Sequence, residues 1–126
     1  MDISIKSQNQ FPKLEEYKKH FNVTEKTIFA YDNCIYTNYQ LPQDILIHEI
    51  EHLKQQKRDG LDFWLTNYLN DHKYRLKQEI EAYRVQLQSI KDRNLRAKIR
   101  IESAKNLSSD LYGGIISNER ALNILK

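Results

Sequence analysis

Residues 48–52 read HEIEH, a short run whose residue types can bind a metal ion and activate water. On an α-helix, residues four positions apart lie on the same side one turn apart, so His48 and His52 can offer two imidazole nitrogens to one ion. Zinc binds imidazole well, and catalytic zinc sites use three protein ligands and leave one position for water. Glu49 projects about 100° around the helix from His48, where its carboxylate can accept a proton from a zinc-activated water. The spacing therefore predicts the H-E-x-x-H chemistry of hydrolysis, with Glu49 as the general base.

The alternative interpretation of this run is a solvated helix face with two ordinary histidines. About one chain in a hundred with this histidine and glutamate content would contain the spacing by chance. The flanking sequence argues against chance, because the opposite side of the same helix is apolar. That side carries Leu46, Ile50 and Leu53, about 140–200° from His48. Glu49 is then expected at the border between the core and the histidine pair.

A third metal ligand is expected from QEIEAYR at residues 78–84, within a long helix predicted at about 73–91. The apolar stripe of that helix is formed by Leu76, Ile80, Tyr83, Leu87 and Ile90. Glu79 falls at the edge of this stripe and Glu81 on its far side, so Glu79 is chosen as the ligand and Glu81 as a surface residue. A carboxylate at the edge of a buried stripe needs a metal or a charged partner. Pairing of Glu79 with a Lys or Arg remains the alternative, and His72 is the second choice as ligand.

The surrounding elements predict an α+β fold. Residues 2–6 predict a short strand, and residues 27–37 predict a hairpin that turns at Asp32-Asn33. Helical periodicity and end signals predict helices at 11–21, 42–58, 61–69, 73–91, 93–107 and from about 118. The expected architecture is one domain, residues 1–126, in which a small β-hairpin or sheet packs on the four to five helices that follow it, including the HEIEH helix.

These motifs together resemble a known family. The matching segments are TIFAY, CIYT, LPQDILIHEIEHLKQQ, Gly60, Trp64, Tyr68-Leu69, Tyr74-Arg75 and QEIEAYR. Over about residues 27–90 the chain resembles the gluzincin branch of the zincin metallopeptidases, and most of all the small zinc metallopeptidase-like proteins of phages and prophages. The resemblance implies a minimal zincin-like domain with one Zn²⁺ per chain, held by His48, His52 and Glu79. It departs from the best-known gluzincins at Gln78, where they carry Asn.

The resemblance also implies a function, which is hydrolysis of peptide bonds in a peptide or protein substrate. It implies that the edge strand of the hairpin aligns an extended peptide. Candidate donors to the developing oxyanion are Tyr112, Tyr74 and His72. The competing hypothesis is a catalytically inactive, zinc-stabilised binding or structural protein of phage origin. The two hypotheses differ in the effect of Glu49→Gln, which should stop an enzyme and leave a binding protein unchanged.

Composition adds limits on partners and location. The chain has 126 residues and a net charge of +3, and no apolar run is long enough to span a membrane. The basic segment 91–100 lacks interleaved aromatic residues, so it is interpreted as a solvated helix face and nucleic acid is not expected as a partner. The single cysteine, Cys34, fits a reducing compartment. We therefore expect a cytoplasmic protein, in the host cytoplasm or the virion if a phage encodes it, while the oligomeric state is left open.

Overall fold

The structure, a computed structural model, describes residues 2–126 and has an α+β fold. Its strands are β1 (Ser4–Lys6), β2 (Phe29–Tyr31) and β3 (Cys34–Tyr36). Its α-helices are α1 (Leu14–Lys18), α2 (Gln43–Asp59), α3 (Leu61–Asn70), α4 (His72–Ser89), α5 (Arg93–Leu107) and α6 (Asn118–Ile124). The expected small sheet followed by a series of helices is confirmed. In this part of the chain, no helix combines the length and the apolar character needed to cross a membrane.

The sheet is built around the predicted hairpin. β2 and β3 pair antiparallel, and the two residues between them, Asp32 and Asn33, adopt positive φ angles of 50° and 63°. Asp and Asn tolerate this left-handed conformation, which a two-residue turn between twisted strands requires. β1 then pairs parallel with β3, which gives the strand order β1-β3-β2 and leaves β2 at an edge.

The two faces of the sheet pack on different partners. Side chains alternate between faces along a strand, so Phe29 and Tyr31 point to one side and Ala30 to the other. The first face joins an aromatic cluster that includes Phe11 and Trp64. The second face packs on α2. The buried residues of this contact are Ala30 and Ile35 from the sheet and Leu53 from α2. The sheet therefore holds α2 at a fixed position. Cys34 is a buried free thiol in the first cluster.

The helix predicted at 11–21 is wrong in length, since α1 covers only Leu14–Lys18. Lys13 provides no side-chain cap for the helix start. Phe11 instead turns into the core, where its ring stacks on Phe29 with 4.3 Å between centroids. Burial of this aromatic ring outweighs the small gain from extending a short helix. The segment nevertheless packs on the aromatic cluster, with Tyr17 buried in it and Leu14 and Phe21 packed against it.

Helices α2, α3 and α4 form the frame of the candidate site. Gly60, at φ 92°, separates α2 from α3 and allows the sharp change of direction there. The Asp71 side chain caps α4 by accepting hydrogen bonds from the backbone N–H groups of Lys73 and Tyr74. α4 packs along α2 on one side and contacts α5 on another. A separate cluster of apolar residues, which includes Leu76, Leu87, Ala104, Leu107 and Leu125, joins α4 to α5 and α6.

Candidate metal centre

The interface between α2 and α4 brings together the three residues that the sequence singled out as ligands. His48 Nε2 lies 3.0 Å from Glu79 Oε1, and His52 Nε2 lies 2.9 Å from Glu79 Oε2. The three side chains are buried, with 7% of His48, 4% of His52 and 4% of Glu79 exposed. The helical spacing explains this convergence, because His48 and His52 lie one turn apart on the face of α2 that meets α4.

The donor set fits zinc. Two imidazole nitrogens and one carboxylate form the protein part of a catalytic zinc site. The ligand atoms of His48, His52 and Glu79 all lie within 4.8 Å of one another. Ligand atoms of a tetrahedral zinc ion, each about 2.0–2.2 Å from the metal, stand about 3.3–3.6 Å apart. The histidines contact different oxygens of Glu79, and their Nε2–oxygen separations of 3.0 and 2.9 Å would have to open by roughly 0.3–0.7 Å.

A glutamine fixes the orientation of His48. The His48 Nδ1 atom lies 2.8 Å from Gln86 Oε1. The amide of Gln86 cannot be reversed without loss, because its Nε2 donates a hydrogen bond to Asp44 Oδ2 at 2.8 Å. The oxygen that faces Nδ1 can only accept a hydrogen bond, so Nδ1 carries the proton and the lone pair of neutral His48 lies on Nε2, toward Glu79.

A second glutamine does the same for His52. Its Nδ1 atom lies 2.9 Å from Gln55 Oε1. The amide nitrogen of Gln55 donates to the backbone oxygen of Gln78 at 2.9 Å, which sets the orientation of the amide. The indole N–H of Trp64 also donates to Gln55 Oε1, at 3.3 Å. Both histidines thus present Nε2 to the same point, as residues that ligate zinc through Nε2 do.

The site attracts positive charge. With both Nδ1 atoms protonated, each Nε2–carboxylate contact is favourable only if a cation lies between them or Nε2 itself carries a proton. Burial alone would lower the pKa of His52, but attraction to the Glu79 carboxylate and the hydrogen bond to it raise that pKa to about 9. Burial would likewise raise the pKa of Glu79, but the charge of His52 and the hydrogen bonds from both histidines hold it well below its usual value.

Glu49 lines the same small cavity, of about 120 Å³, as the three candidate ligands. Its side chain is half-buried, as its expected place at the border of the core implies. Burial raises the pKa of this carboxyl, and the nearby His48 and His52 oppose the rise. None of the hydrogen bonds within residues 2–126 involves the Glu49 carboxylate, so both of its oxygens are available to water.

Tyr68 belongs to the site and was missed from the sequence. Its hydroxyl donates to Glu79 Oε2 at 2.5 Å, and its ring stacks on Trp64 with 4.5 Å between centroids. The sequence carries only a weak signal for this role, because a tyrosine that contacts a ligand and a tyrosine that packs in a core have the same helical spacing. Trp64 and Tyr68 are four residues apart on α3, so one face of α3 contacts both Gln55 and Glu79.

The cavity of about 120 Å³ that Glu49 and the three candidate ligands line is named the central cavity. The three candidate oxyanion donors do not line it. Tyr74 donates its hydroxyl to Asp59, and His72 is exposed beside Gly113. Tyr112 is buried in the apolar cluster between α4, α5 and α6. These proposed roles are therefore replaced, since the tyrosines that line the cavity are Tyr17 and Tyr68.

Glu81 and the edge of the sheet also occupy defined positions. Glu81 pairs with Arg58 at 3.3 Å and accepts a hydrogen bond from Gln55 Nε2 at 3.2 Å, and it is not part of the converging group of His48, His52 and Glu79. At the edge of β2, the Gln56 amide donates to the Ala30 carbonyl at 2.7 Å and accepts from the Asp32 N–H at 3.0 Å. Gln56 therefore takes up the part of the edge beside the turn, and a peptide could pair only with the part toward Ile28, which lines the central cavity.

Comparison with known proteins adds no relative to this description. No protein-family model matches the chain, and neither the curated proteins nor the solved structures contain a significant match. The interpretation of the site therefore depends on its own geometry.

Proposed function

We propose that this protein is a zinc-dependent metallopeptidase. The observation that carries the proposal is the convergence of His48, His52 and Glu79 at one buried point, with both Nδ1 atoms held by oriented glutamine amides. An ordinary buried ion pair needs only one histidine and does not require two rings turned to the same carboxylate. The set of two histidines and one glutamate leaves a fourth position open, which is the pattern of a catalytic site and not of a closed structural one.

Residues of the chain supply the groups that hydrolysis requires. When bound, zinc would act as a Lewis acid and lower the pKa of a coordinated water to about 7. Glu49 shares the cavity with the three ligands and is the group placed to accept the proton of the attacking water. Tyr68 holds Glu79 through its hydroxyl. Tyr17, whose side chain also lines the cavity, is the candidate donor to the developing oxyanion.

The metal claim is tested first, by measuring the zinc content of the wild-type protein purified without chelator beside the His48→Ala variant. About one zinc per chain is expected for the wild type and little for the variant. His20→Ala is the matched control, because His20 is exposed and lies outside the site. Equal zinc content in the wild type and His48→Ala would refute this site.

The catalytic claim is tested by comparing Glu49→Gln with Glu51→Gln on a fluorescent mixture of unstructured peptides. Loss of the general base should lower the rate by roughly 10²–10⁴-fold while zinc stays bound. Glu51, two residues along the same helix, does not line the cavity and should tolerate the change. Cleavage by zinc-loaded Glu49→Gln at the wild-type rate would remove Glu49 from the mechanism.

A zinc-stabilised binding protein is the second candidate. The burial of all three ligands favours it, because a metal enclosed between α2 and α4 would stabilise the fold whether or not a substrate is cut. In this case the wild type would bind zinc and show no peptidase activity, and Glu49→Gln would have no effect on partner binding. The activity screen separates the two candidates.

We also propose a reducing compartment such as the cytoplasm. Cys34 is a free, buried thiol in the aromatic cluster, and it has no cysteine partner in the chain. A test is the location of a tagged full-length chain after cell fractionation.

A further inference from the structure

The central cavity shares lining residues with two larger cavities, and we name the three together the trough. On one side, a cavity of about 400 Å³ shares Tyr17, Phe29 and Tyr68 with the central cavity, and we name it the apolar end. On the other side, a cavity of about 240 Å³ shares His48 and Glu49 with it, and we name it the acidic end. The candidate metal ligands therefore lie midway along the trough.

The apolar end is suited to a large apolar side chain. Phe21 and Leu111 complete its apolar wall, and no charged residue lines it. Leu111 is 42% exposed, although it is a large apolar residue, so its side chain forms an open rim. Covering this surface with an aromatic or leucine side chain would gain the free energy of removing apolar area from water.

The acidic end has the opposite character. Asp44, Glu49 and Glu102 line it, and no Lys or Arg does. The contrast is marked because the chain as a whole carries a net charge of +3. Its basic side chains gather elsewhere, for example around a cavity that Arg84, Arg96 and Lys126 line. A recess whose acidic side chains face no Lys or Arg has a negative potential that attracts cations.

We propose that the trough binds an extended peptide that carries a bulky apolar residue on one side of the metal centre and a Lys or Arg on the other. The inference rests on the proposed function, since it names the substrate class of the same site. The charge complementarity of the acidic end selects a cationic peptide over an apolar ligand or a nucleic acid. The apolar end selects, among cationic peptides, those with an aromatic or leucine residue a short distance away.

The test measures peptide binding to zinc-loaded Glu49→Gln protein, which should not cut the probe. The probes are fluorescein-labelled peptides that contain Phe and Arg separated by two alanines, in both orders, and the matched peptides with Phe→Ala or Arg→Gln. In one order, loss of Phe should weaken binding about tenfold. Loss of Arg should weaken binding about threefold to fivefold, since the acidic end is open to solvent and keeps only Asp44 and Glu102 as its acids in Glu49→Gln.

Two variants assign the preferences to the two ends. In the same Glu49→Gln background, Leu111→Ala should reduce the preference for Phe and leave that for Arg, and Glu102→Gln should do the reverse. The matched controls are Phe63→Ala and Glu119→Gln, exposed residues that line neither end of the trough. All four positions are exposed, so the variants should fold as the parent does.

Zinc content, measured on the same samples, separates this inference from the proposed function. Bound zinc with equal affinity for all peptides, or with no measurable binding, would overturn the peptide preference and leave the metal centre standing. Absence of zinc would overturn the proposed function and this inference with it. Preferences that Leu111→Ala and Glu102→Gln do not change would overturn the placement of the peptide in the trough.

Discussion

At the scale of single residues, the site orients its histidines with neutral amides. Gln86 accepts a hydrogen bond from His48 Nδ1, and its amide N–H donates a hydrogen bond to Asp44. A carboxylate directly on Nδ1 would have added a third negative group beside Glu49 and Glu79. The amide instead fixes the tautomer and keeps the charge of Asp44 one residue away.

The first prediction concerns this orientation. Gln86→Leu removes the acceptor for His48 Nδ1–H and should weaken zinc binding about 10–100-fold, because the ring is then free to rotate or change tautomer. Zinc affinity is measured by competition with a chromogenic chelator. Gln88→Leu is the matched control, since Gln88 is exposed on the same helix and does not contact the histidines. Unchanged affinity in Gln86→Leu would show that the amide does not position His48.

The candidate ligands were predictable from the sequence, whereas the residues that orient them were not. His48, His52 and Glu79 followed from helical geometry and from residue types that are rare at buried positions. Gln86 is different, because glutamine is common on helices and its partner His48 lies 38 positions away. Tyr68 was hidden by the abundance of tyrosine, eight residues in the chain. Only the packing of α3 and α4 against α2 identifies these two residues.

At the scale of elements, a polar network joins the end of α2 to the start of α4. Arg58 Nε donates to Asp59 Oδ1 at 2.8 Å, and its guanidinium lies 3.3 Å from Glu81. The Tyr74 hydroxyl donates to Asp59 Oδ2 at 2.5 Å. The network closes the corner at Gly60 and so helps to hold the faces of α2 and α4 that carry the candidate ligands in register.

The second prediction follows from the charge of Asp59. The hydrogen bond from Arg58, and after it that from Tyr74, lowers the pKa of Asp59 to about 2 although burial opposes the shift. Since an unfolded Asp has a pKa of about 3.9, ionised Asp59 stabilises the fold above about pH 4, and this contribution is lost as the pH falls toward 2. Asp59→Asn should cost about 1 kcal/mol at pH 7, because the half-exposed Arg58 is screened by solvent.

The measurement for Asp59 is the free energy of unfolding in urea from pH 2 to pH 7. The difference between the wild type and Asp59→Asn should shrink below pH 4 and vanish near pH 2. Asp62→Asn is the control, since Asp62 is exposed near the same corner and outside the network. A difference that stays constant with pH would mean that the ionised carboxylate is not what stabilises the corner.

Elements were predictable where local signals were strong. α2 to α6 follow from apolar periodicity, and the end of α2 follows from the stop signal at Gly60. The length of α1 depends on where Phe11 finds a ring to stack on, which is a tertiary contact. The parallel pairing of β1 with β3 was likewise not visible, because the pairing joins three-residue strands that are remote in sequence.

At the scale of the whole molecule, the candidate metal centre connects two parts of the core. α2 is packed on the sheet, whereas α4 is packed on α5 and α6 through a separate apolar cluster. The ligands come from both helices, with His48 and His52 on α2 and Glu79 on α4. A bound cation would therefore link the two parts and relieve the repulsion between the carboxylates of Glu49 and Glu79.

The third prediction is that zinc stabilises the whole fold. At a free zinc concentration of about 100 Kd, linkage adds about 2.7 kcal/mol, which raises Tm by roughly 10 °C for a domain of this size. A chelator should reverse the shift. Glu49→Gln should keep the full shift, because Glu49 is placed as a base and not as a ligand, whereas His48→Ala and Glu79→Gln should lose most of it. Calorimetry with and without zinc measures all four proteins. An equal shift in the wild type and His48→Ala would place the stabilising zinc at another position, such as the exposed His20 or His72. In that case only protein contacts would link α2 to α4.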